Sequence, residues 1–200
     1  MHLKLVMALF FVLSSVACTS MKKNSLGFKP KLSPSEYSHL IKNNTFNKKE
    51  YKGFYNQFDV SVTFLTTEVY SANLERMRYY HQWDEIKYQQ KREEMFQTLS
   101  NTSKVFLSFY TPEPDLRNPQ RPNSLWEVYL EVDGQRYEGE IKSHNEAHYL
   151  LQELYPHHTR WSNGYMMTFN IPMSVVESQN SKLVLTSPAG KAIFNKSPNK

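Results

Sequence analysis

The stretch SHNEAHYLLQELYPHHTRW, residues 143–161, places four histidines within fifteen positions. Histidine is the side chain that most readily binds a metal or moves a proton near neutral pH. His144 and His148 are four residues apart, so on a helix they would share a face, as two metal ligands do. A third ligand would come from His157 or His158, beyond Pro156.

HNEAH resembles the metalloprotease pattern HExxH, in which a glutamate beside the first histidine serves as general base. Here Asn145 holds that place, and Glu146 would lie about 200° around a helix from His144. Glu146 is also explained as the capping-box partner of Ser143. His144 and His148 are therefore weak candidates for a metal site or a metal-dependent hydrolase. The simpler reading is packing, with His148 flanking a leucine stripe. No cofactor is expected.

LYPHHTRWSNGY concentrates Tyr155, His157, His158, Arg160, Trp161 and Tyr165 between a helix and a strand. Rings and a guanidinium make adaptable binding patches. They equally make corner packing, with Arg160 stacked on Trp161. No G-x-S-x-G, no glycine-rich phosphate loop and only six glycines occur, so the functions of α/β enzymes have no support here.

These residues need elements to hold them. Ser33-Pro34-Ser35-Glu36 is a capping box with proline at the first helical position. It predicts a helix to about Lys42, with Tyr37, Leu40 and Ile41 inward; NNTFNKKE then breaks the pattern. Phe58, Val60, Val62 and Phe64 alternate with polar residues, as in a half-buried strand. KVFLSFY, 104–110, is apolar on both parities and reads as a central, covered strand. TPEPDLRNPQRP, 111–122, holds four prolines and predicts an exposed loop.

SLWEVYLEV and QRYEGEIK flank Asp133-Gly134, a type I′ turn signal. That register sets Val132 against Gln135, Leu130 against Tyr137, Glu131 against Arg136, Val128 against Gly139 and Trp126 against Ile141. It also sets Glu127 against Glu140, a like-charge pair. A bound cation, the tether lysines or Arg76, Arg78, Lys91 and Arg92 could offset that pair, and a carboxylate pair could serve glycosidase chemistry. Ser143 to Pro156 predicts a helix with Ala147, Leu150, Leu151 and Leu154 inward. YMMTFNI, SKLVLTS and KAIFN predict three more strands. Residues 68–100 lack glycine and proline and predict one helix of seven or more turns. Its apolar residues form two stripes: Leu74, Met77, Tyr88, Met95 and Leu99, and Ala72, Tyr79, Trp83 and Ile86. The whole predicts a mainly β fold: an immunoglobulin-like antiparallel β-sandwich of about seven strands, with a long helical insertion and one shorter amphipathic helix. Its span is residues 51–196.

The first residues carry an address. MHLK, the apolar LVMALFFVL and the small SSVA read as an export signal over residues 1–17. Cys18 is the one cysteine in the chain, which excludes an internal disulfide. Ser15-Val16-Ala17-Cys18 resembles the lipobox of bacterial lipoproteins. The resemblance implies cleavage before Cys18, a diacylglycerol on its sulfur and, since Thr19 is not Asp, an outer-membrane site. Ser15-x-Ala17 also suits ordinary signal peptidase at the same bond. The texture of the whole chain resembles uncharacterised envelope lipoproteins of Gram-negative bacteria.

The net charge of +5 is unevenly placed. Residues 19–52 carry eight lysines against two glutamates, and residues 53–200 carry 15 basic and 17 acidic side chains. Residues 18–50 thus read as a basic, lipid-anchored linker containing a short helix. A domain without basic excess argues against nucleic acid as partner. The expected role is a membrane-anchored, non-enzymatic binding, scaffolding or assembly module with a protein partner in the envelope. A periplasmic chaperone or carrier is the other non-metal alternative.

Overall fold

A computed structural model describes residues 28–198. The proposed signal segment and Cys18 lie outside the described residues. The elements, in order, are α1 (Pro34–Asn43), β1 (Thr45–Lys52), β2 (Tyr55–Phe64), α2 (Thr67–His81), α3 (Glu85–Asn101) and β3 (Ser103–Tyr110). They continue with β4 (Glu127–Val132), β5 (Gln135–Ser143), α4 (His148–Leu154), β6 (Asn163–Phe169), α5 (Met173–Ser178), β7 (Ser181–Ser187) and β8 (Gly190–Lys196).

The fold is mixed α and β. All eight strands are antiparallel and follow one order, β1-β2-β3-β6-β5-β4-β7-β8. The sheet curls until its edges β1 and β8 approach each other. The expected seven strands are all present; among the described residues β1 is an eighth, and five helices accompany them. This differs from the two-sheet immunoglobulin-like arrangement read from strand spacing. Spacing alone does not say whether successive hairpins stack as two layers or coil into one, and here they coil.

Alternation fills the interior. Phe58, Val60, Val62 and Phe64 of β2 point in, with Val105, Leu107 and Phe109 of β3 and Leu183 and Leu185 of β7. Charged residues such as Glu138, Glu140, Lys142 and Lys191 stay outside on exposed positions. That is the reverse of a transmembrane barrel, whose outer face is apolar. Leu74, Met95, Leu99, Met173 and Val176 extend the interior core from the helices at one end of the strands. At the other end stand the β1–β2 turn, the 111–126 loop and the 159–162 loop.

Several expectations are corrected. The folded part begins at α1 rather than near Tyr51. TFNKKEYK, read as linker, is the edge strand β1; its lysines face solvent, as suits an edge that must not pair with another chain. The 68–100 segment is two helices and not one. Gln82 adopts a left-handed conformation (φ 52°), and Asp84 caps the second helix by accepting the Lys87 N–H at 2.7 Å. The first apolar stripe supplies Leu74, Met95 and Leu99 to the core from both helices, whereas Tyr79 and Ile86 of the second are exposed. The helix expected from Ser143 starts only at His148, because β5 continues through Ser143. MSVVES forms the short helix α5, which sequence periodicity did not reveal.

The hairpin register holds from Val132↔Gln135 to Tyr129↔Glu138. Asp133 and Gly134 both have positive φ, as a type I′ turn requires. Beyond Glu138, β5 leaves β4 and pairs with β6, Gly139 lying opposite Phe169. The expected Val128–Gly139, Trp126–Ile141 and Glu127–Glu140 rows are therefore absent from the ladder. The carboxylates are offset locally: Arg136 meets Glu138 at 2.6 Å and Glu127 at 3.7 Å, and Lys182 meets Glu131 at 2.7 Å. The proline-rich loop closes the resulting split. Gln120 accepts the Ser143 N–H (2.7 Å), and the Trp126 indole donates to the Leu116 carbonyl (3.0 Å). Leu116 and Pro119 are buried, so the loop is part of the wall rather than wholly exposed.

The split needs a glycine at its root. A Cβ on Gly139 would stand 2.5 Å from the Phe169 ring and 3.1 Å from Val128. Phe169 is fully buried and cannot move aside. Gly139→Ala is therefore expected to cost about 1–3 kcal/mol of stability by overpacking. A urea midpoint unchanged from wild type would contradict this packing.

Candidate functional site

The histidine region is built around Phe106. β3 is covered on both faces, and Phe106 is its outward-facing ring. Tyr155 stacks on it at 3.6 Å with the planes 5° apart. His144, His157 and His158 meet it edge-on at 5.8, 6.1 and 5.7 Å. Leu150, Leu151 and Leu154 of α4, Tyr37 and Ile41 of α1 and Val69 of α2 complete this outer core.

A polar network threads it. The Tyr37 hydroxyl lies 2.7 Å from Asn73 Oδ1 and 2.8 Å from the Leu154 carbonyl, and shares its proton between them. Asn73 Nδ2 donates to the Tyr155 hydroxyl at 3.1 Å. Burial pushes both phenols well above the ordinary tyrosine range. The Arg76 guanidinium sits over the Tyr37 ring at 4.3 Å, and its Nε and Nη2 are buried without a hydrogen-bond partner. The ring face supplies part of what a carboxylate otherwise would. Tyr37 of α1, expected to face inward, meets Asn73 and Arg76 of α2, a pairing that no motif announced.

His158 Nδ1 is 2.8 Å from Ser108 Oγ, and its buried Nε2 has no partner. His157 Nε2 lies 3.4 Å from Thr63 Oγ1. Burial lowers His157 to about 4, with a smaller push from His158. Burial likewise lowers His158 to about 4, aided by His148 and His144. The premise of the metal candidates is corrected. His144 precedes the helix and packs against Phe106, and His148 opens the helix from an exposed position, its ring 4.9 Å from His158. Glu146 caps nothing; it stands 3.6 Å from His81, and its N–H reaches His144 Nδ1 at 3.4 Å. Among the described residues no three His, Cys, Asp or Glu side chains are placed to hold a metal.

The six residues expected as one binding surface divide. Tyr155, His158 and Tyr165 are buried and His157 is half-buried. The Tyr165 hydroxyl donates to the Arg117 carbonyl at 3.1 Å, pinning the proline-rich loop. Arg160 and Trp161 remain in solvent, the guanidinium 5.3 Å above the indole. Corner packing and surface presentation are thus both present, split at Thr159.

Trp161 belongs to a different set of neighbours. With Asn56, Asp59, Tyr110, Thr159 and Ser162 it lines an open concavity of about 450 Å³. Asn56 and Asp59 lie on β2 beside the β1–β2 turn, and Tyr110 ends β3. Lys49 holds Asp59 at 2.8 Å. The turn itself carries Tyr51, Phe54 and Tyr55, all exposed. The sequence signal was available: three aromatic residues in five positions around Gly53, with Lys52 among them and Lys48 and Lys49 just before. This end of the strands is the candidate contact surface. No family model, curated protein or solved structure matches this chain, so no likeness adds a substrate or partner to it.

Two outcomes follow from the outer core. Tyr37→Phe strands the Asn73 carbonyl oxygen and the Leu154 carbonyl in a buried place, at an expected cost of about 1–3 kcal/mol. An unfolding midpoint within error of wild type would sink the network. His157 and His158 are neutral in the folded chain to about pH 4, whereas unfolded histidines bind protons below about 6.5. The unfolded chain therefore takes up more protons as pH falls from about 6.5 toward 4, and stability drops across that window. Their contribution is complete above pH 6.5. The acid-side slope should be shallower in His157→Gln/His158→Asn, measured by urea titration at each pH.

Proposed function

We propose that this chain is a lipoprotein of the bacterial envelope, held at the outer membrane by diacylglycerol on Cys18. Its folded domain is a non-enzymatic binding, scaffolding or assembly module. The observation that carries the module is the division of the aromatic and histidine side chains. Tyr155, His157 and His158 are committed to packing α1 and α4 onto the sheet, and of the rings left in solvent the largest group, Tyr51, Phe54, Tyr55 and Trp161, stands together at one end. Phe54, Tyr55 and Trp161 are 103%, 78% and 71% exposed. Leaving such rings in water forgoes roughly 1.5–3 kcal/mol each, which a contact partner would recover.

Support for the anchor is chemical. A lone cysteine directly follows an apolar run and small residues, where lipid transfer would need it. Lys22, Lys23, Lys29 and Lys31, upstream of α1, suit a tether drawn to anionic headgroups. An envelope protein is the proposed partner of the module.

Mass spectrometry of the native product is expected to show an N-terminal Cys18 bearing acyl chains. Cell fractionation after a high-salt wash should leave wild type in the outer membrane and release Cys18→Ser. A free thiol on a chain that washes off would overturn the anchor.

A further inference from the structure

We infer that the β1–β2 turn and the Trp161 loop form a second, direct contact with an anionic lipid surface. Tyr51, Phe54, Tyr55 and Trp161 would enter the headgroup layer, with Lys52 and Arg160 on lipid phosphates. The inference rests on reading this end of the strands as the contact surface and does not require lipid on Cys18.

The geometry starts from a two-residue turn. Lys52 pairs with Tyr55 across it, so Gly53 and Phe54 form its apex. Gly53 takes a positive φ of 63°, and Phe54 projects with its whole side chain in solvent. Tyr51, at 53% exposure, and Tyr55 flank it. Trp161 and Asn56 line the same concavity, so the indole stands at the same end as the turn. Soluble surfaces scatter such residues singly; four together at one end mark a contact site.

Shape and charge favour lipid over protein. A protruding apex needs a pocket on a protein partner but only a fluid boundary on a membrane. Tyrosine and tryptophan place an apolar body and a polar tip across the bilayer–water boundary, and lysine and arginine reach the phosphates. The nearby carboxylates are spent, Glu50 on Lys48 at 3.3 Å and Asp59 on Lys49 at 2.8 Å. Lys52 has no ion pair among the described residues, and Arg160 has only its stacking on Trp161. Beside these rings, Lys52 and Arg160 are thus left to meet an outside partner. The turn is held by the β1–β2 ladder, so contact orders little that is not already ordered.

The test uses the processed chain, residues 18–200, carrying Cys18→Ser so that no acyl chain contributes. Binding to vesicles of phosphatidylcholine with phosphatidylglycerol should exceed binding to phosphatidylcholine alone. Phe54→Ala/Tyr55→Ser should lower that partition at least about tenfold, and Trp161→Ala should lower it further. The melting curve of Phe54→Ala should not move, because its ring makes no packing contact. A Phe54→Trp reporter should shift to the blue and be quenched by brominated lipid. If the apex variants bind anionic vesicles as wild type does, the tether lysines account for the binding and the inference fails. It fails equally if Phe54→Trp stays in water while a photo-crosslinker at that position captures an envelope protein. Either failure leaves the anchor at Cys18 untouched, since fractionation of the lipidated wild type reads that separately.

Discussion

Phe106 and Tyr155 lie face to face at 3.6 Å on the outside of β3, and the arrangement of the chain around the sheet depends on that contact. A strand buried on both faces gains apolar burial twice but must be given a second layer. Here the layer is assembled from α1, the start of α2 and α4, which are distant in sequence. The hydroxyl of Tyr37, the amide of Asn73 and the hydroxyl of Tyr155 join the three into one hydrogen-bonded path. Apolar contact supplies the driving force. The polar path supplies the specificity, because any other docking would bury those groups unpaired.

Local signals were legible where local physics decides the outcome. The capping box at Ser33 appears in full, with Glu36 returning to the Ser33 N–H at 2.8 Å. Asp133-Gly134 dictated its turn, and the alternation of β2 named the inward side chains. The failures share another origin. β1 was hidden because an edge strand is protected by the lysines that also make a segment look like a linker. The break at Gln82 has no glycine or proline; the helices part because α3 must turn back to reach β3, and the tertiary contacts outweigh the cost of a left-handed glutamine. The capping box at Ser143 was read correctly as a pattern but lost to pairing of β5 with β6 and to Gln120, which takes the Ser143 N–H. Curling of the sheet into one layer is set by twist and by the split at Gly139, neither of which has a periodic signature.

The candidate surface was half visible for the same reason. Aromatic residues and histidines were easy to see in LYPHHTRWSNGY, but sequence does not say which face a loop residue takes. Tyr155 caps α4 facing inward, the bend after Pro156 turns His158 inward again, and from Thr159 the chain returns to solvent. Tyr51, Phe54 and Tyr55 were overlooked because they flank a turn inside what looked like the start of the domain. Their meaning comes from exposure, and exposure follows from the pairing of Lys52 with Tyr55.

The charges of the domain suggest why one end can act as a contact surface and the sides cannot. Along the strands nearly every carboxylate has a cation at hand: Glu138 has Arg136, Glu140 has Lys142, and Glu131 has Lys182. Exposed pairs of this kind contribute little stability. They do leave the sides of the sheet electrically quiet, with polar groups already satisfied and little to gain from a partner. The turn end breaks that pattern twice. Its rings stand largely in solvent, and Lys52 and Arg160 have no carboxylates among the described residues. A surface is recognised through what it has not yet satisfied, and on this molecule both kinds of unsatisfied group, apolar and cationic, stand together beside the β1–β2 turn.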